Sequence, residues 1–495
     1  MNKILGNRKR NNMSYFLESY DYKKVLYYFE QLTKIPHGSG NVQAISNYLV
    51  AFAKEQGVRY VQDEAYNVVM FKEASAGYED APVVMIQGHM DMVCEKNADS
   101  NHNFETDALE LRMVGDDLMA NGTTLGGDDG VAVAYAMALI ADKEAKHPAL
   151  ELVITTEEET GMDGAKALDM SGLKASYMIN VDSEDEGVVL CSCAGGMRQT
   201  CTLPMGRMAA DGVAYDIALT GLYGGHSGAE IDKNRVNSVY AMTRLLFEAR
   251  ELVEFSLLDF YGGLKDNAIP REAFATVVVE EDETALFVKT VEELAAKYKN
   301  ELASIEPGFK VEVKAGDNSA YNVLDPVSFE KLLFFLMQAP NGIQRMSGDI
   351  AGLVESSLNL GIFEVKEEEA EFNFALRSSS KTYKYFMRDK VEYLISFLGG
   401  ESSTHSEYPA WEYRRESKLR DIFREVFTEM YQKEPKMEAI HAGLECGLVA
   451  EKMPDLDMIS IGPNMRDIHT PMEALNIPST IRMYKFLEKL LERIK

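Results

Sequence analysis

Three short apolar runs stop in the same way: "APVVMIQGH" ends on His89, "ALELVITTEEE" ends on the glutamates at 157–159, and "SYMINVD" ends on Asp182. Runs of this length, rich in Val, Ile and Met, read as strands. Around them lie segments of helical periodicity, "ISNYLVAFAKEQG" closing on Gly57 and "DDGVAVAYAMALIADKEA". Strands separated by helices predict an α/β fold: a mostly parallel sheet with helices on both faces. In such open sheets ligands bind beyond the carboxyl ends of the strands. Residues far apart in sequence can therefore converge there.

At 495 residues the chain is longer than one hydrophobic core usually organises. Near Leu203 to Asp211 the pattern changes. "AYDIALTGLYGG", "REAFATVVVE" and "GFKVEVKAG" read as strands mixed with helices such as "TVEELAAKYKNELASI", which predicts an α+β domain with a largely antiparallel sheet. Towards the end "DMISIGP" is again a short apolar strand, followed by a helix with Ile481, Tyr484, Leu487, Leu491 and Ile494 on one face. The expected organisation is a discontinuous catalytic domain, 1–205 and 401–495, with a lid inserted at 206–400.

The net charge of −28, from 51 basic and 79 acidic residues, argues against nucleic acid or an anionic membrane as partner. No apolar run approaches the roughly 20 residues of a membrane span, and "MNKILGNRKRNNMSYF" has no apolar signal-peptide core, so a cytoplasmic protein is expected. Five cysteines, Cys94, Cys191, Cys193, Cys201 and Cys446, are too few and too scattered for a disulfide framework. The "CSC" at 191–193 lacks the second pair that a zinc finger needs and reads as strand.

The chemistry-bearing candidates share one kind of position. His89, Glu158, Glu159 and Asp182 lie at or just past strand ends, Asp128 in "GGDDG" opens a helix, and His469 follows the strand in "ISIGPNMRDIHT". Asp91 stands two residues after His89, and in extended chain the two would face one side about 7 Å apart. Singly, each has a plain explanation. Asp128 would cap its helix, the "EEE" run would be solvated, and a late histidine such as His469 is more often surface or core. "DSEDEG" begins like an EF-hand loop, but its twelfth position is Cys193, which excludes that calcium site. Together, two imidazoles and three carboxylates suit two divalent ions sharing a carboxylate and activating one water. Nitrogen and oxygen ligands without thiolate favour zinc, with cobalt or manganese as alternatives. Adjacent residues point different ways, so one of Glu158 and Glu159 should ligate and the other act as general base.

Read together, "GHMDMVCEKN", "GGDDG", "TTEEETGMDGA", "NVDSED", "GLYGGHSG", "NAIPRE", "HAGLECG" and "IGPNMRDIHTP" resemble the aminoacyl-histidine dipeptidase family, also called Xaa-His dipeptidase or peptidase D. That family lies within the aminoacylase and carboxypeptidase clan of dinuclear zinc metallopeptidases. The resemblance implies that His89 and Asp182 hold one metal, Glu159 and His469 the other, and that Asp128 bridges them. Asp91 would orient His89 and Glu158 would be the base. His226 would stabilise the oxyanion, from its own lid or a partner's. Asn267 and Arg377 would bind the substrate carboxylate, and Glu445 the free amine. Two departures stand out: Asp129 adds a second acid beside Asp128, and Glu157 replaces an aspartate common in relatives.

The implied activity is metal-dependent hydrolysis of dipeptides, preferentially Xaa-His and carnosine-like, by a cytoplasmic homodimer joined through the lid. The alternatives are a related N-acyl amino-acid hydrolase or metallocarboxypeptidase, which would not need Glu445, and a non-catalytic peptide-binding protein on the same scaffold, which would not need Glu158.

Overall fold

The computed structural model describes residues 15–495, so most of the basic opening segment lies outside the described residues. The described residues form two compact units: those up to 191, 414–438 and 448–495 make one, and residues 192–413 with 439–447 make the other. The first break therefore falls at 191/192 where 205/206 was expected, and the second at 413/414 where 400/401 was expected. The segment 439–447, which includes all of "HAGLECG", goes with the second unit.

The first unit is organised by an eight-stranded sheet in the order Arg59–Gln62, Val68–Lys72, Leu150–Thr155, Val84–His89, Tyr177–Asn180, Asp457–Ser460, Val188–Cys193, Lys436–Ile440. Leu150–Thr155, Val84–His89, Tyr177–Asn180 and Asp457–Ser460 run parallel, as the helix-separated runs predict. Antiparallel pairs flank them, among them a hairpin of Arg59–Gln62 and Val68–Lys72. Val84–His89 and Leu150–Thr155 are buried along their whole length, which explains why they read as continuous apolar runs and not as alternation.

The helix Gly127–Ala141 is buried on every side from Asp129 to Ile140, so it is a central element and not a surface one. Gly88 lets it approach the sheet, since a Cβ there would fall 2.3 Å from the Ala132 methyl and from Asp129 Oδ2. The terminal helix Ile477–Arg493 buries Tyr484, Leu487 and Leu491 as expected, with Met483, Phe486 and Leu490 widening the stripe.

The second unit has a nine-stranded sheet in which every described pairing is antiparallel. Its centre runs Ala273–Val279, Ser256–Gly262, Val354–Val365, Glu369–Ser378, Gly195–Pro204. The core under it takes Phe260, Phe363, Phe372 and Phe374 from the strands, and Leu245, Phe287 and Phe335 from helices Ser238–Arg250, Thr284–Glu301 and Pro326–Gln338.

Candidate metal centre

Three neighbouring parallel strands deliver acids and a histidine to one edge of the first unit's sheet. Val84–His89 ends on His89, Glu158 and Glu159 open the short helix after Leu150–Thr155, and Asp182 lies two residues past Tyr177–Asn180. Asp128 comes from the loop that starts the central helix, where Gly126 holds a left-handed φ of +69°. His469 arrives on the turn after the short strand Met465–Arg466 and itself has a left-handed φ of 61°. A histidine rarely adopts that backbone, and such strain clusters at functional positions.

Five side chains meet here. His89 Nε2 lies 3.2 Å from Asp128 Oδ1 and 3.8 Å from Asp182 Oδ1. His469 Nε2 lies 3.1 Å from Asp128 Oδ2 and 3.1 Å from Glu159 Oε2. Each trio, His89–Asp128–Asp182 and Asp128–Glu159–His469, has ligand atoms close enough to hold one ion, and Asp128 contributes to both with different oxygens. Glu158 comes within the same range of His89 and Glu159. Asp129, the rival of Asp128, points away. Fully buried, it accepts from the His89 amide at 3.2 Å and the Ala132 amide at 3.4 Å.

Asp91 does more than face His89. Its carbonyl lies 3.0 Å and its carboxylate 3.4 Å from His89 Nδ1. The same carboxylate accepts from Ser39 Oγ at 2.8 Å and from the amides of Glu158 and Glu159 at 3.1 and 3.3 Å. One buried acid thus fixes the imidazole and the turn that carries both glutamates. With Nδ1 committed as donor, Nε2 is left to face the acids.

The electrostatics fit a cation. Burial alone would lower the His89 pKa, yet hydrogen bonds to Asp128 and Asp91 raise it well above its ordinary value. Hydrogen bonds to Asp128 and Glu159 raise His469 to about 10. Burial and the Asp128 charge push the Asp182 carboxyl well up, and Glu159 Oε1 is buried with no partner among the described residues. A site that makes imidazoles so basic and crowds carboxylates in low dielectric has a deficit of positive charge. Divalent ions on an all-nitrogen-and-oxygen donor set would correct it.

His226, Asn267, Arg377 and Glu445 all belong to the second unit. His226 Nε2 lies 3.5 Å from Arg377 Nη2, and the Asn267 carbonyl accepts from the Ser227 amide at 2.9 Å. Gly228 of "GGHSG" makes the approach possible: a Cβ there would stand 3.0 Å from both Arg377 Nε and His226 Cε1. Arg377 is 6% exposed, and its Nε, like Ser227 Oγ, is buried without a partner among the described residues. Glu445 is fully buried at the start of Glu445–Lys452.

The sequence profile described as "Peptidase family M20/M25/M40" matches residues 85–493. The chain belongs to this family. It is 36% identical over 470 residues to the cytosol non-specific dipeptidase of Escherichia coli (strain K12), covering 94% of this chain and 96% of that protein. Among solved structures, the aminoacylhistidine dipeptidase from Vibrio alginolyticus superposes with a TM-score of 0.91 at 32% identity, over 97% of this chain and 99% of that one. The aminopeptidase PepT from Bacillus cereus ATCC 10987 shares the fold at a TM-score of 0.54 and 14% identity, over 96% of this chain and 99% of that one.

Sequence reasoning missed three residues of this M20 chain. The Tyr408 hydroxyl accepts from Arg377 Nη1 at 3.0 Å, and His441 Nε2 sits 2.7 Å from Ser357 Oγ. Glu473 takes the amides of the Asp128 loop. The one sequence signal for Glu473 is an acid set among Met472, Ala474 and Leu475, four residues after a candidate histidine, where a buried charge asks for an explanation.

Proposed function

We propose that this M20 peptidase is a metal-dependent dipeptidase with two divalent cations, zinc first, one held by His89, Asp182 and Asp128 and the other by Asp128, Glu159 and His469. The observation that carries this reading is Asp128, whose two oxygens lie 3.2 and 3.1 Å from different histidines. A helix cap needs one oxygen directed at backbone amides, and no such bond is formed by Asp128 among the described residues. When bound, the cations polarise the scissile carbonyl and bring the pKa of a water towards neutrality.

The chain's own residues do the rest. Glu158 accepts the proton of the attacking water and returns it to the leaving amine. Asp91 keeps His89 in the tautomer whose Nε2 faces the acids. Arg377, with Asn267, receives the substrate carboxylate, for which its planar fork is shaped. His226, from its own lid or a partner's, stabilises the oxyanion, and Glu445 pairs with the free amine. Two charged ends met by two fixed groups act as a ruler, because a longer peptide cannot satisfy both.

Xaa-His peptides are the preferred class in this reading. The Vibrio alginolyticus relative's name supports it, and the word "non-specific" in that of the Escherichia coli relative is the counter-expectation. A cytoplasmic location is supported by the latter's "cytosol", and among the described residues no helix is long and apolar enough to cross a membrane. Homodimerisation through the second unit is supported by Phe386, Tyr393 and Phe397, which stand exposed on the helix Lys381–Phe397.

The test is a peptide panel before and after chelation, with metal analysis alongside. Dipeptides should be cleaved, a tripeptide and an N-acetylated dipeptide spared, and activity should vanish on chelation and return with Zn2+, Co2+ or Mn2+. Efficient cleavage of the acetylated compound would replace the dipeptidase reading with an N-acyl amino-acid hydrolase. Equal rates across all dipeptides would remove the Xaa-His preference alone.

A further inference from the structure

Glu473 is 3% exposed, and among the described residues its carboxylate is hydrogen-bonded only by backbone amides. Its Oε2 accepts from Leu125 at 2.7 Å and Gly126 at 3.1 Å, and its Oε1 from Gly127 at 2.7 Å and Asp128 at 3.4 Å. Four successive N–H groups at the start of a helix form an anion-binding concavity, here filled by a side chain of the same protein. A buried carboxylate without a lysine or arginine is expensive unless fully hydrogen-bonded, so the loop and the acid depend on each other. The loop is shaped for it. A Cβ on Gly126 would meet Met92 Sδ at 2.9 Å, and one on Gly127 would meet Glu473 Oε1 itself at 3.2 Å.

The placement matters because of what each partner carries. The loop ends on Asp128. Glu473 is four residues beyond His469, and its amide donates to the Thr470 carbonyl at 3.0 Å, which keeps the connecting turn tight. Asp128 Oδ2 and His469 Nε2, 3.1 Å apart, thus come from two segments separated by more than three hundred residues, and Glu473 ties one to the other.

We propose that Glu473 is a positioning residue: by clamping the 125–128 amides to the segment bearing His469, it sets the affinity for the cation shared by Asp128, Glu159 and His469. The inference rests on the two-cation reading above. Groups that act behind a ligand in this way typically contribute about 10–100-fold in metal affinity. The other cation shares Asp128, but its His89 ligand is fixed through Asp91 and not through Glu473, so its affinity should fall less.

The experiment is titration of the chelator-stripped full-length protein with Zn2+ or Mn2+ by calorimetry, checked by metal analysis after dialysis. Wild type should take two ions. Glu473→Gln, in which an amide nitrogen replaces one acceptor, should bind the ion of Asp128, Glu159 and His469 about 10–100-fold more weakly, and the other ion, which also uses Asp128, with a smaller loss. Its kcat should fall at limiting metal and recover in excess metal, with KM unchanged. Glu473→Asp, which keeps the charge, should fall between the two.

Gly127→Ala crowds the same contact without touching the charge and should weaken the same ion in the same direction, so it decides the matter if Glu473→Gln fails to fold. Hydrogen exchange should show the Leu125, Gly126 and Gly127 amides protected in metal-free wild type and released in the variants. Two ions bound at wild-type affinity by Glu473→Gln, or by Gly127→Ala where that variant decides, would overturn the proposal. A wild type that binds fewer than two ions overturns the two-cation reading instead.

Discussion

The two units hold polar clusters of opposite sign. In the first, three carboxylates surround two imidazoles, and hydrogen bonds to acid raise the basicity of both His89 and His469. In the second, burial and the Arg377 charge lower the pKa of both His226 and His441. The same side chain is thus driven towards the charged form in one place and the neutral form in the other. A cluster short of positive charge recruits cations; a cluster with an uncompensated guanidinium recruits an anion such as a carboxylate. On the proposed reading, cations would go to the first cluster and the substrate carboxylate to the second.

The largest test of this contrast is Glu158→Ala. If Glu158 is the proton acceptor and not a ligand, kcat should fall about 10²–10⁴-fold while metal analysis still finds two ions. Loss of an ion together with activity would move Glu158 into the ligand set beside His89 and Glu159, with which its carboxylate is within reach. Next in size is Arg377→Ala. Removing charged hydrogen bonds worth about 1.5–3 kcal/mol each should raise KM for a dipeptide by about 10–100-fold, with kcat and metal content little changed. Arg377→Lys keeps the charge but loses the fork, and should restore only part of the affinity. Full recovery with lysine would mean that charge alone suffices and that the Tyr408 contact does not orient the group.

What the sequence disclosed was governed by what signals residue type. Strand-end acids and histidines are visible because apolar runs point at them, and the parallel order of Leu150–Thr155, Val84–His89 and Tyr177–Asn180 then forces His89, Glu159 and Asp182 to one edge. The choice of Asp128 over Asp129 was open to inference but needed geometry, since adjacent acids differ only in which way they face. Glu473 was silent because it acts on backbone amides, and amides are the same at every residue. The breaks between units were hard for a related reason. The first falls inside the strand Val188–Cys193, just before Gly195–Pro204, with no linker composition to mark it, and 439–447 returns to the second unit with no local cue. The edge hairpin Arg59–Gln62 and Val68–Lys72 is short and partly exposed, so its periodicity is weak.

The smallest effect is a pH dependence of stability that distinguishes the second unit. His441 is pushed down to about 4, first by burial and then by Arg377 and His226, with the Val354 backbone and Asp232 opposing. In the unfolded chain it titrates near its ordinary value of 6.5. Between those two values the unfolded chain binds more protons than the folded one, so stability should rise with pH across that window, be complete above it, and be lost as acid reaches pH 4. The full shift corresponds to about 3 kcal/mol. His441→Gln keeps a hydrogen-bonding partner for Ser357 but cannot titrate, so its melting temperature should fall less than that of wild type between pH 7 and pH 4.5. Equal losses in the two proteins would assign the acid sensitivity elsewhere. They would also remove one of the two histidines on which the contrast between the units is built.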